Sequence, residues 1–227
     1  MPDYVDNKNT YLEAVKDFVE YIADLLSGKT PLNFEYEFGK KGAPTDYETR
    51  CGFKGLATTV EQLFDCYFWN GQYYKENADD LSAMQHALRD ALEGNPVKIA
   101  AIQRAVDAVM DWGLPKPAAD KNKEWARLHR HRLPFVLLSG VEELQAEQPN
   151  YLVFSPNQKF TIQPHGRVRM NAGYTKVYSL ASDGIVIYDS RVGAALCWLV
   201  GRFLASIHHA GPVPDELSFL WSTGRAP

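Results

Sequence analysis

The chain has 227 residues, 45% of them hydrophobic, with 28 acidic against 24 basic side chains and a net charge of −4. That apolar content suffices for a packed core, so disorder is not the default, and a pI near 5.9 argues against a protein that coats nucleic acid indiscriminately. No apolar run reaches the ~18 residues a membrane span needs, the first residues lack the regions of a signal peptide, and a cytoplasmic protein is the simplest expectation.

Residues 10–26 repeat apolar side chains at helical spacing and stop at Ser27-Gly28, which predicts an amphipathic helix. Residues 30–55 are broken by glycines; 34–38 alternate as a short strand does, with a loop as the competing reading. Helical character returns over 57–68. The aromatic stretch 69–74 (Trp-Asn-Gly-Gln-Tyr-Tyr) reads as a turn forming a wall of the core in preference to a base-stacking platform. Two helices over 77–92 and 96–112 follow, separated by Gly94 and Pro96, which suit a C-cap and a helix start.

The chain is expected to be one globular unit, and residues 112–120, rich in Pro and Gly, are where it could divide into two lobes. Next comes a basic segment, Lys116, Lys121, Lys123, Arg127, Arg130 and Arg132, predicted to be helical over 121–130 and able to give one positive face to an otherwise acidic protein. A further helix is predicted over 134–147. Residues 151–170 read as a small β-hairpin or sheet, in which Arg167 and Arg169 would share a strand face suited to phosphate contact. The last helices are expected over 190–209 and 215–221. The fold class is therefore mainly α, multi-helix, with a small β element near 151–170.

Cys51, Cys66 and Cys197 are odd in number and widely spaced, so no disulfide framework, metal site or cofactor is expected. The chemistry points instead to two helix starts. Gly173 supplies a permissive turn, Thr175 is a candidate N-cap, and Lys176 would fall in the first turn of a short helix. A cation is disfavoured at that end of the helix dipole by up to ~1 kcal/mol, which suits a lysine that must act as a neutral amine nucleophile. Asp189 follows the β-rich run 185–188 and precedes an apolar helix, whose start its carboxylate would cap. Tyr174, Tyr178 and Tyr188 flank the pair, and Arg191 could orient Asp189 or touch phosphate. Taken alone, each has a plainer role: a capping carboxylate, a solvated lysine, tyrosines in the core, a surface arginine.

The arrangement Gly173-Tyr-Thr-Lys176 with Ile187-Tyr-Asp189 resembles the helix-hairpin-helix DNA glycosylases, particularly the 8-oxoguanine glycosylase-like branch. The resemblance covers roughly thirty residues. It implies a helix-hairpin-helix fold and an N-glycosylase, with associated lyase activity, acting on a damaged or modified base in DNA repair or phage defence. Lys176 and Asp189 would be catalytic. Gly173, Tyr174, Thr175, Tyr188, Arg191, Arg167, Arg169, Lys121, Lys123, Arg127 and Arg130 would bind substrate. The partner would be DNA, with no membrane involved. The alternative is a non-catalytic helical module that binds DNA or a protein and keeps a decayed glycosylase site. A third reading is an unrelated all-α scaffold in which Asp189 only caps a helix.

Overall fold

The computed structural model describes residues 8–39, 44–146 and 169–218. Among them are ten α-helices and two antiparallel two-stranded sheets, so the protein is mainly α with small β elements. Arg167 and all of the sheet expected over 151–170 except residues 169–170 lie outside the described residues.

Helices α1 (Lys8–Ala14) and α2 (Lys16–Leu26) together form the helix expected over 10–26. Only Val15 interrupts it, and the backbone bonds Val15 N to Tyr11 O and Val19 N to Val15 O carry the ladder across. Strand β1 (Phe34–Glu37) pairs with β2 (Lys54–Ala57), Phe34 opposite Ala57, with the one-turn helix α3 (Tyr47–Arg50) between them.

The helix expected over 57–68 shrinks to the single turn α4 (Glu61–Phe64). Gln62 Oε1 accepts from the Thr58 and Thr59 amides at 2.6 and 3.3 Å, so the helix starts only after the strand has ended. At its other end a hairpin takes over: β3 (Phe68–Trp69) and β4 (Gln72–Tyr73) joined by Asn70 and Gly71, with φ of 54° and 81°. Two consecutive positive φ values define a type I′ turn, for which Asn-Gly is a preferred pair.

The main core is built from α5 (Tyr74–Glu93), α6 (Ile99–Gly113), α7 (Lys116–Leu128), α8 (Leu133–Gln145) and α9 (Ala172–Ala181). Leu88, Ile102, Val106, Met110, Leu133, Leu137 and Val177 are fully buried there, and side chains of this size contribute about 1.5–3 kcal/mol each by burial. Helix α9 packs on α5, α6 and α8. Residues 112–120 form the turn from α6 into α7 and the start of α7, and those two helices pack against each other inside this same core.

Helix α10 (Ser190–Ser206) buries its apolar face elsewhere. Val200, Phe203 and Leu204 meet Val15 and Leu217, while Trp198 and Leu199 pack beside Leu25, Leu32 and Ala57. Of the helix expected over 215–221, the described part is one 3-10 turn, Asp215–Leu217. Thus α9 and α10 are consecutive in the chain but belong to different apolar clusters. No described helix is long and apolar enough to cross a membrane.

Candidate functional site

Helix α9 begins earlier than its sequence suggests. Asn171, in extended conformation, accepts through its side chain from the Gly173 and Tyr174 amides at 3.0 and 3.1 Å and is the N-cap. Thr175 is therefore inside the helix, and Lys176 is its fifth residue, past the first turn, where the dipole has little hold. Asn171 is itself held. Its Nδ2 donates to Oδ1 of the buried Asn122 on α7 at 2.9 Å, and Arg169 Nε donates to the same oxygen at 3.1 Å.

The Lys176 side chain is 5% exposed, and its Nζ donates to Ala172 O at 3.0 Å and to Asp189 Oδ2 at 2.9 Å. Asp189 divides its two oxygens. Oδ1 accepts from the Arg191 and Val192 amides at 3.0 and 3.2 Å, capping α10 as expected, and Oδ2 receives Lys176. Thr175 Oγ1 donates to Tyr188 O at 2.8 Å, tying the chain just before Asp189 to α9. Two short-range devices, a cap and a hydroxyl clamp, thus bring the ends of α9 and α10 to one point.

Gly113, the last residue of α6, makes room for this lysine. A Cβ there would collide with Lys176 Cδ and lie 3.0 Å from Cε, so the aliphatic stem runs across the bare backbone. Gly173 has a similar role against the same helix. It is not a turn but the second residue of α9, and a Cβ would approach Met110 Sδ to 2.7 Å and Leu114 Cδ1 to 2.8 Å.

Burial raises the Asp189 carboxyl, but the Lys176 hydrogen bond, the Val192 amide, the Lys176 charge and the Arg191 amide outweigh it and hold the group below its ordinary value. A carboxyl lowered by folding adds stability above its unfolded pKa of about 3.9. That contribution is lost as pH falls through the lower folded value. The Tm of the wild type should therefore fall more steeply below about pH 4 than that of Asp189→Asn. Parallel curves in a calorimetric pH series would show that Asp189 carries none of the acid sensitivity.

At the C-terminal end of α6 lies a cavity of about 550 Å³ bounded by Trp69, Asp111, Trp112, Leu114, Lys116 and Lys123 among others, with neither Lys176 nor Asp189 in its wall, a volume ordinary for small-molecule pockets. Its wall shares the α6 C-terminus with the lysine, since Gly113 stands between Trp112 and Leu114. The two indoles are fixed by hydrogen bonds. Trp69 Nε1 donates to Trp112 O at 2.9 Å, and Trp112 Nε1 donates to Oδ1 of the buried Asn77 at 2.9 Å. Asn77 Nδ2 in turn donates to the carbonyls of Trp69, Gln72 and Tyr73 at 3.0–3.1 Å, anchoring the hairpin.

Arg191 lays its guanidinium 3.9 Å from the centre of the Trp69 ring. Burial pushes the Tyr67 phenol up, the Arg191 charge draws it down and the Asp189 charge pushes it up further. The aromatic hairpin, read from sequence as a wall of the core, thus borders the candidate site.

The remaining expected residues divide. Tyr174 is fully buried, edge-on to Trp125 at 5.4 Å, with its hydroxyl enclosed. Tyr178 is also in the core, its hydroxyl donating to Arg169 O at 3.0 Å. Tyr188 is half-buried and reaches the pair through its carbonyl. Arg169 lies half-buried with its guanidinium 4.8 Å from the Trp125 ring centre. Lys123 is held by Asp111 at 2.5 Å and Asp120 at 3.5 Å. Lys121, Arg127 and Arg130 are exposed, Arg127 near Glu124 at 3.5 Å and Arg130 bonded to His131.

Trp69, Asn77, Trp112, Gly113 and Asn171 were not legible as site residues, although Asn70-Gly71 and the Asn171 cap have local signals. Among the described residues no group of three or more His, Cys, Asp or Glu could hold a metal ion. Set against known protein families, curated proteins and solved structures, the chain matches none.

Proposed function

We propose that this protein is a DNA glycosylase with lyase chemistry, in which Lys176 is the nucleophile and Asp189 its carboxylate partner. The observation that carries the proposal is the Lys176–Asp189 contact of 2.9 Å at adjoining helices, with the lysine stem crossing Gly113 between Trp112 and Leu114, two residues that line a cavity of about 550 Å³. A target nucleotide extruded from DNA would bring its base toward the cavity and its sugar C1′ toward Lys176.

The lysine must first give a proton to the base that will depart, which frees its lone pair and leaves Asp189 ionised. The amine lone pair then forms the Nζ–C1′ bond as the glycosidic C1′–N bond breaks, and its electron pair leaves with the base. The Asp189 carboxylate opposes the positive charge that develops on the sugar ring. Ring opening gives a Schiff base at C1′; loss of a C2′ proton then forms the C2′–C3′ double bond as the C3′–O bond breaks and the 3′ phosphate departs. The exposed Lys121, Arg127 and Arg130 are suited to the DNA backbone.

A second reading, a helical DNA-binding or protein-binding module with a purely structural ion pair, is favoured by how fully both charges are satisfied within the chain. Borohydride trapping separates the two. Wild-type protein is incubated with duplexes carrying an abasic site or a panel of oxidised and modified bases, and a covalent protein–DNA adduct is expected on at least one of them. The base that supports it also distinguishes repair from defence. Salt-sensitive binding without any adduct would establish the second reading instead.

A further inference from the structure

The segment that leads into the hairpin, with the start of α5, carries an exposed aromatic surface. Phe64, Tyr67, Phe68 and Tyr74 are each 36–43% exposed. Phe64 and Tyr74 stack with planes 6° apart and centroids at 4.3 Å, and Tyr67 stands edge-on to Tyr74 at 6.0 Å. Alternation along β3 turns Phe68, which packs on the Tyr47 and Tyr73 rings, away from Trp69. Tyr67 stands two residues from Trp69, whose ring carries the Arg191 guanidinium at 3.9 Å, so the patch adjoins the candidate site along the chain. Contiguous exposed aromatic rings of this kind mark binding surfaces more often than chance exposure.

Its chemistry selects among partners. Flat, nearly parallel rings offer π-faces, which any nucleobase can extend by stacking. Arg50, exposed and 3.6 Å over the Tyr73 ring, and Arg191 lie at its margins. The exposed Glu61 and Asp65 share α4 and its end, so a phosphate backbone would not lie across the patch itself. Bases must meet it, and bases in an intact duplex have no free face to offer.

We infer that Phe64, Tyr67 and Tyr74 form a stacking platform for unpaired nucleobases next to the nucleotide held at Lys176. The protein then takes single-stranded or locally opened DNA in preference to intact duplex. The inference rests on the reading above that DNA is the substrate.

The test compares wild type with the triple variant F64A/Y67A/Y74A by fluorescence anisotropy on three labelled oligonucleotides of one sequence: single-stranded, fully paired, and duplex with a short unpaired bubble. The wild type should bind the two open forms more tightly. The variant should lose about 10-fold or more on them, with duplex affinity and salt dependence unchanged. Equal loss on all three, no loss, or no binding of any oligonucleotide by the wild type would overturn the platform.

Because the triple variant could unfold, wild-type protein is also photocrosslinked to bubble DNA containing 5-iodouracil. Adducts at Phe64, Tyr67 or Tyr74 support the platform, and adducts confined to other residues overturn it. Trapping keeps the two ideas apart. A patch-dependent preference without a borohydride adduct retains the platform and removes the Lys176 chemistry, and an adduct with no patch dependence does the reverse.

Discussion

Lys176→Gln should yield no borohydride-trapped adduct on any substrate that traps the wild type, and base release should fall by at least about 10³-fold, the scale expected when a covalent nucleophile is removed. The amide cannot form a Schiff base. DNA binding should change little, because the lysine is 5% exposed and its ammonium is spent on Asp189 and a backbone carbonyl. Stability should fall by about 1–3 kcal/mol, the usual cost of leaving a partly buried group without a partner. The low end is expected because Asp189 keeps its two backbone donors. Release, binding and Tm measured on one preparation give three readouts, and undiminished trapping by the variant would assign the nucleophile to another amine.

Gly113→Ala should inactivate the protein almost as thoroughly without touching an ionisable group. The added methyl would occupy the path of the Lys176 stem, colliding with Cδ and crowding Cε at 3.0 Å. A side chain yields more readily than a helix backbone, so Lys176 should swing aside and leave Asp189. Misplacement of a reacting group by about 1 Å can cost 10²-fold, and the loss of base release should be at least that large. Overpacking of about 1–3 kcal/mol is offset in part by the roughly 0.4–1 kcal/mol gained when alanine restricts the unfolded chain. The Tm should therefore move little. A large drop in Tm with activity per folded molecule retained would mean that Gly113 serves packing alone.

How far the sequence reached follows from the range of each interaction. The Asp189 cap was legible because it depends on amides two and three residues away. The start of α9 was misplaced because two candidate caps, Asn171 and Thr175, stand one turn apart. What favours Asn171 is its bond to Asn122, a partner on another helix. Likewise the Asn70-Gly71 turn carries its own signature, but nothing local tells that Trp69 is pinned to the carbonyl of Trp112 or that both depend on Asn77. Gly113 has no signature at all. Its importance lies in an absent atom, read only once α9 is laid across α6. Helical content was recoverable from periodicity; the 57–68 helix was overestimated because apolar spacing continues through a segment that β2, a side-chain cap and the hairpin divide.

Lys176 is carried by the α5–α9 core, and Asp189 by the helix that packs on α2 and the first sheet. The ion pair therefore works as a gauge of how these two bodies are seated. At 2.9 Å it has little slack, and a slide of about 1 Å takes such a bond beyond useful length. A slide of one cluster past the other would part the amine from its counter-ion, so the chemistry proposed for the pair depends on the seating of both being held.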